Sequence, residues 1–140
     1  MINKLELREV NQYSPLSLAF MGDSVYELMV REQLMLIANM PAAKLHNLAV
    51  KRVCAEYQAT AVRIMLEESF LTEDEQEIIR RGRNANGITA PKHSTIGEYR
   101  MATALECLFG HLHLRGETQR IEEIFEFVWK IGNVSETAEE

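Results

Sequence analysis

Cysteine is scarce in this chain: Cys54 and Cys107 are the only two, and neither belongs to a CxxC pair. That excludes a disulfide scaffold or a zinc ribbon and points to reduced, buried thiols. Three prolines and seven glycines in 140 residues exclude a collagen-like or low-complexity scaffold. No apolar run approaches the roughly 20 residues that a membrane span takes, and the N-terminal Met1 to Glu9 lacks the apolar stretch of a signal peptide. A cytoplasmic protein with no membrane partner is expected. There is no alternating strand pattern, internal repeat or phosphate-cradling glycine loop, and Ser14, Ser17 and Ser24 have no histidine nearby. Nucleophilic catalysis therefore has no positive support. What is present, 46% hydrophobic and 26% charged residues, is the make-up of one globular domain. We take that domain as residues 1–133, with 134–140 as an acidic, flexible tail.

The formal net charge is −6, from 15 basic and 21 acidic residues, but the charge is unevenly spread. Residues 67–77 hold Glu67, Glu68, Glu73, Asp74, Glu75 and Glu77 with no base. Residues 80–100 then hold Arg80, Arg81, Arg83, Lys92 and Arg100 against Glu98 alone, a local +4, with His93 in reserve. A weaker cluster, Lys44, His46, Lys51 and Arg52, lies upstream. Screening limits each charge to about 10 Å at 0.1 M salt, so a local basic surface can bind a polyanion on an acidic protein. Composition alone favours the plainer alternative, a solvated helix end and loop.

The apolar spacing is helical throughout. Ser14-Pro15 reads as an N-cap with proline at the first helical position, opening a buried central helix from Leu16 to Ala38. Asn39-Met40-Pro41 ends it, and one or two amphipathic helices follow from Ala42 to about Phe70. Thr72 with Glu75, and Thr95 with Glu98, read as capping boxes for two more, the first stopping at Gly82. Arg83 to His93 is the longest irregular stretch. A last helix follows Gly116 and ends near Gly132. The expected fold is all-α, with six or seven helices.

Polar residues inside apolar helices carry the functional signal, because a buried carboxylate must find a cation or a proton. Asp23 stands in Leu16-Ser-Leu-Ala-Phe-Met-Gly-Asp-Ser-Val-Tyr26, and Glu106 in Met101-Ala-Thr-Ala-Leu-Glu-Cys-Leu-Phe-Gly110. Gly22 costs about 1 kcal/mol against alanine at mid-helix, which suggests a close backbone approach. Each acid could pair separately with a base from elsewhere in the fold. Alternatively the two converge on a hard cation such as Mg²⁺, which takes one or two carboxylates and keeps most of its waters. The histidines His46, His93, His111 and His113 have no metal spacing, and His111 and His113 read as surface residues near a helix end.

The segment Leu18-Ala-Phe-Met-Gly-Asp-Ser-Val-Tyr-Glu-Leu-Met-Val30 resembles the signature helix of the ribonuclease III catalytic domain, Glu-x-x-Glu-Phe-Leu-Gly-Asp-[Ala/Ser]-[Val/Ile]. Thr103-Ala-Leu-Glu-Cys-Leu-Phe-Gly110 resembles the partner motif of that family, Asp-x-x-Glu-Ala-Leu-[Ile/Leu]-Gly. With Arg80-Arg-Gly-Arg-Asn-Ala85 and Thr89-Ala-Pro-Lys92 between them, the chain is similar end to end to the Mini-ribonuclease III branch, which lacks a double-stranded RNA-binding domain. The chain departs from the longer family members at Ala19 and Thr103, where acids would stand. The resemblance implies an all-α ribonuclease III endonuclease-domain fold and an Mg²⁺-dependent endoribonuclease cutting double-stranded RNA. It implies Asp23 and Glu106 as catalytic metal ligands, and a homodimer packed through the signature helices with Phe20 and Met21 in the interface. Arg81, Arg83, Asn84, Lys92 and Arg100 are the expected RNA contacts. In this branch the expected substrate is the paired ends of the large-subunit (23S) ribosomal RNA precursor, with a large-subunit ribosomal protein as a potential assistant. The rival readings are a non-catalytic dimeric binding module of the same fold and a plain helical interaction protein, which would hold the two acids apart and paired with bases.

Overall fold

A computed structural model describes residues 4–89, 92 and 94–139, with side chains up to Asn133; Ala90, Pro91, His93 and the tail's side chains lie outside the described residues. Seven helices and no strand occur among the described residues: α1 (Leu7–Val10), α2 (Pro15–Ile37), α3 (Ala42–Val53), α4 (Ala55–Glu67), α5 (Glu73–Arg83), α6 (Ile96–Leu114) and α7 (Thr118–Glu139). The all-α expectation holds, and the four-residue α1 is an addition that apolar spacing does not reveal.

The helix boundaries follow local chemistry. Ser14 caps α2 by accepting the backbone N–H of Ser17, with Pro15 at the first position. Val53 ends α3, and Cys54, extended at φ −67° and ψ 153°, separates it from α4. Thr72 and Glu75 form the reciprocal capping box of α5. At α6 only half of the expected box forms: Thr95 accepts from the Glu98 N–H, while Glu98 takes the Thr95 hydroxyl rather than its backbone N–H.

The central helix is α6 and not α2. Residues 102–105 and 107–112 of α6 are all buried, the mark of a helix surrounded by others. Leu105, Leu108 and Phe109 are at most 1% exposed, and each contributes roughly 1.5–3 kcal/mol of burial. By contrast α2 buries one stripe, Leu18, Gly22, Tyr26, Val30 and Leu34 at every fourth position with Ala19 beside it. Its other face leaves Phe20, Leu28, Met35, Leu36 and Ile37 exposed. Its near-continuous apolar character therefore reflects two apolar faces, only one of them covered by this chain.

Two glycines mark close approach where the sequence suggests helix ends. A Cβ on Gly82 would lie 2.8 Å from the Ala104 Cα, and the helix runs one residue further, to Arg83. A Cβ on Gly132 would meet the Arg52 guanidinium at 2.5 Å, and α7 continues in helical form to Glu139 instead of ending near Gly132. Gly116 does close a helix: its φ of 72° lies in the left-handed region, and its N–H bonds to the His113 carbonyl.

Arg52, which the sequence groups with a basic surface cluster, is 5% exposed. It donates to the Trp129 carbonyl at 2.6 Å, the Tyr57 hydroxyl and Asn133 Oδ1, and lies 4.0 Å from the Trp129 ring centroid. This clasp ties α7 to α3 and α4. A second one runs from Arg120, which donates to both carboxylate oxygens of the buried Glu75 at 2.8 Å and to the Phe70 carbonyl. His111 is likewise buried rather than on the surface: Nε2 lies 3.0 Å from Asn11 Oδ1, and burial pushes the ring's pKa down to about 4.

Candidate active site

The site begins where α2 crosses α6. A Cβ on Gly22 would sit 1.6 Å from the Glu106 carbonyl oxygen, and one on Gly110 would sit 1.9 Å from the Leu18 carbonyl oxygen. Only glycine at both positions lets the two backbones touch. Asp23 follows Gly22 in the chain and Glu106 lies against it, so the crossing itself brings the two acids together.

The two carboxyl groups share one cavity of about 490 Å³, lined also by Phe20, Gln58, Thr89 and Thr103. Asp23 is exposed and Glu106 is mostly buried. Burial, with the Asp23 carboxylate beside it, pushes the Glu106 carboxyl up to about 9. Glu106 therefore holds a proton at neutral pH in the metal-free protein. Among the described residues no base pairs with either acid; the ion pairs of the fold lie elsewhere. This removes the reading in which the acids sit apart and neutralised by bases. Glu27, one turn beyond Asp23, is paired with Arg31 at 2.7 Å.

The positions that depart from the ribonuclease III pattern supply no further ligand. Ala19 is a buried apolar residue, and the Thr103 hydroxyl donates to the Tyr99 carbonyl at 2.9 Å. No cluster of three or more His, Cys, Asp or Glu side chains suited to a metal occurs among the described residues. The missing polar member of the site is Gln58, 2% exposed at the start of α4. Its Nε2 donates to the Val53 carbonyl at 2.9 Å, and its buried Oε1 has no donor. The sequence carries a faint signal for it, an uncharged polar residue three, four and seven positions before Ala61, Val62 and Met65 and so on their apolar stripe.

Among the described residues no basic side chain lines this cavity. Arg81 and Asn84 line a separate recess of about 450 Å³ with Ser14 at the start of α2. Leu16 lines both hollows, and Gly87, Ile88 and Thr89 of the following loop line the acidic one. Arg83 and Lys92 are exposed. Arg100 acts locally. Its Nη1 donates to the Arg83 and Ala85 carbonyls, at 2.9 and 3.2 Å, and so fixes the end of α5 that presents Arg83 and Asn84. Phe20, 81% exposed, stands at the cavity rim, and Met21 is half-buried beside it.

The family model described as the ribonuclease III domain matches residues 16–117. The chain is 38% identical to a Mini-ribonuclease 3 of Enterococcus faecalis over 95% of this chain and 99% of that protein. It is 41% identical to a Mini-ribonuclease 3 of Streptococcus pneumoniae, covering 83% and 91% respectively. A crystal structure of a protein from Fusobacterium nucleatum is similar at 32% identity with a TM-score of 0.77, over 85% of this chain and 95% of that one.

Proposed function

The chain belongs to the ribonuclease III family, in its Mini-ribonuclease 3 branch, and on that premise we propose that Asp23 and Glu106 hold the Mg²⁺ ion with which it cuts double-stranded RNA. That it is an endoribonuclease follows from the family itself. The observation that carries the metal reading is a pair of carboxyl groups forced together at a glycine crossing with no base to neutralise them. The donor set fits a hard, water-keeping cation: two carboxylates and an unsatisfied amide oxygen in a polar cavity.

A cation held there would supply a bound water of lowered pKa and charge to offset that on the leaving 3′-oxygen. Asp23, open to solvent, and Glu106, recessed, would hold it, Glu106 releasing its proton to solvent. Arg81, Arg83, Asn84 and Lys92 hold phosphates of an A-form duplex, and Arg100 holds the loop that carries two of them. Duplex RNA is read by shape and by phosphate and 2′-hydroxyl contacts, which suits loops of this kind. The products carry 5′-phosphate and 3′-hydroxyl ends.

The enzyme acts as a homodimer joined through the outer face of α2. Leu16, Phe20, Leu28 and Met35 lie exposed along that helix at intervals of four to eight residues, and isologous packing covers the same face twice. Two sites then flank one duplex, each cutting one strand to leave a short 3′ overhang. On family likeness the substrate is the paired ends of the 23S ribosomal RNA precursor, with a large-subunit ribosomal protein held on that RNA as the assisting partner.

Cleavage of an end-labelled RNA duplex, with and without Mg²⁺, tests the reading on wild type, Asp23→Asn and Glu106→Gln. Staggered, Mg²⁺-dependent cuts that fall at least about a hundredfold in both variants are expected, since even outer-shell partners of a metal are worth 10–100-fold. Undiminished cutting by either variant would remove that residue from the metal site, and a folded wild type that binds duplex RNA without cutting it would favour the non-catalytic module.

A further inference from the structure

Gln58 lies in the acidic cavity as an uncharged side chain whose hydrogen bonding is half finished. The finished half is local. Nε2 donates to the Val53 carbonyl, one of the carbonyls that α3 leaves without an intrahelical partner at its C-terminus. That bond fixes which way the amide faces, because turning it over would set two carbonyl oxygens against each other. The amide also lines the cavity together with Glu106. The unfinished half is Oε1, buried without a donor in a residue that lines the cavity. A buried carbonyl oxygen without a donor is costly, and such orphans call for an explanation. Among the described residues no group donates to it. The donor must therefore arrive with whatever occupies the cavity.

We propose that Gln58 is a positioning residue of the cation site: its Oε1 accepts a hydrogen bond from a cation-bound water, while its amide N–H side steers the Glu106 carboxylate toward the ion. The assignment rests on the reading of Asp23 and Glu106 as metal ligands. It gives this chain, which lacks acids at positions 19 and 103, a neutral oxygen as the third polar wall of the site. Waters on a divalent ion are strongly polarised donors, and the hydrogen bonds they make to outer groups set both affinity and orientation. The same geometry explains why an amide serves here: one end donates to a carbonyl and a carboxylate while the other accepts, which no carboxylate or aliphatic side chain does.

The test is Mn²⁺ binding to the full-length, RNA-free protein, read by the loss of the free-ion electron paramagnetic resonance signal. Wild type is compared with Asp23→Asn, Gln58→Leu and Gln58→Glu. Gln58→Leu keeps the bulk and removes both polar ends, so its Mn²⁺ affinity should fall by at least about tenfold, with the thermal unfolding transition retained. Gln58→Glu restores an acceptor and should bind Mn²⁺ at least as tightly as wild type. Gln58→Leu binding Mn²⁺ within twofold of wild type would overturn the proposal, and a raised KM for duplex RNA in that same variant would move the missing donor to a ribose 2′-hydroxyl. Should Gln58→Leu fail to unfold cooperatively, Gln58→Glu decides: affinity kept or raised supports the proposal, and a tenfold loss overturns it. Failure of the underlying metal reading looks different, since wild type and Asp23→Asn would then bind Mn²⁺ equally poorly.

Discussion

Two of the polar clusters in this fold are finished to different degrees. At the foot of α7, Arg52 is fitted against the Trp129 ring and donates to the Trp129 carbonyl, the Tyr57 hydroxyl and Asn133. At the α2–α6 crossing, Asp23 and Glu106 press on each other without a base, and Gln58 Oε1 has no donor. The first cluster consumes its own hydrogen-bonding capacity and ties helices together. The second leaves capacity over, at a cost in stability, and that surplus is what a cation and its waters would use. Buried polarity that serves the fold is thus distinguishable from buried polarity that serves a ligand.

The harshest way to break the comparison is at the crossing. Gly22→Ala drives a methyl group into the Glu106 backbone and should cost at least about 3 kcal/mol, the upper range for overpacking; urea unfolding measures it. Arg52→Met removes the clasp while leaving the acidic cavity alone. It should cost about 2–3 kcal/mol from the lost charged hydrogen bonds and ring contact, yet leave Mg²⁺-dependent cleavage unchanged at temperatures where the variant stays folded. A parallel loss of specific activity would mean that the two clusters are not separate.

Smaller effects sharpen the picture. Lys92→Ala should weaken duplex binding and reduce the slope of log affinity against log salt by about 1, leaving cleavage at saturating RNA intact. The pH dependence of stability should differ in sign between the acidic cavity and the buried histidine. Folded Glu106 keeps its proton up to about 9, whereas an unfolded glutamate loses it near 4.3. Metal-free stability should therefore fall as pH rises across that interval, and Glu106→Gln should flatten the fall. His111, with its pKa held down near 4, works the other way: stability is lost as pH drops from about 6.5 towards 4. Thermal melts from pH 4 to 9 report both.

Much of this is legible in the sequence, and the exceptions share a physical cause. Ser14-Pro15, the Thr72/Glu75 box and the helical spacing mark the elements because caps and periodicity are local. Asp23 and Glu106 stand out because a charge in an apolar helix has few explanations, and Gly22 because a mid-helix glycine is costly. The misleading positions are those where a residue's meaning depends on distant chain. Gly82 and Gly132 look like helix stops until Ala104 and Arg52 are seen against them. Arg52 looks like surface charge until Trp129, 77 residues on, covers it. His111 looks exposed because nothing nearby in sequence announces Asn11. Gln58 escapes notice because an amide raises no alarm until its two ends are traced separately.

The claim that the acids are left unpaired for a cation is tested most directly by the melting temperature of wild type and Glu106→Gln, each with and without Mg²⁺. The account predicts that Glu106→Gln melts no lower than wild type without metal, because it relieves the crowded carboxyl pair. It predicts also that Mg²⁺ raises the melting temperature of wild type and leaves that of the variant nearly unmoved. A variant that melts lower without metal and gains as much from Mg²⁺ as wild type would contradict it, making Glu106 part of the scaffold and not of the metal site.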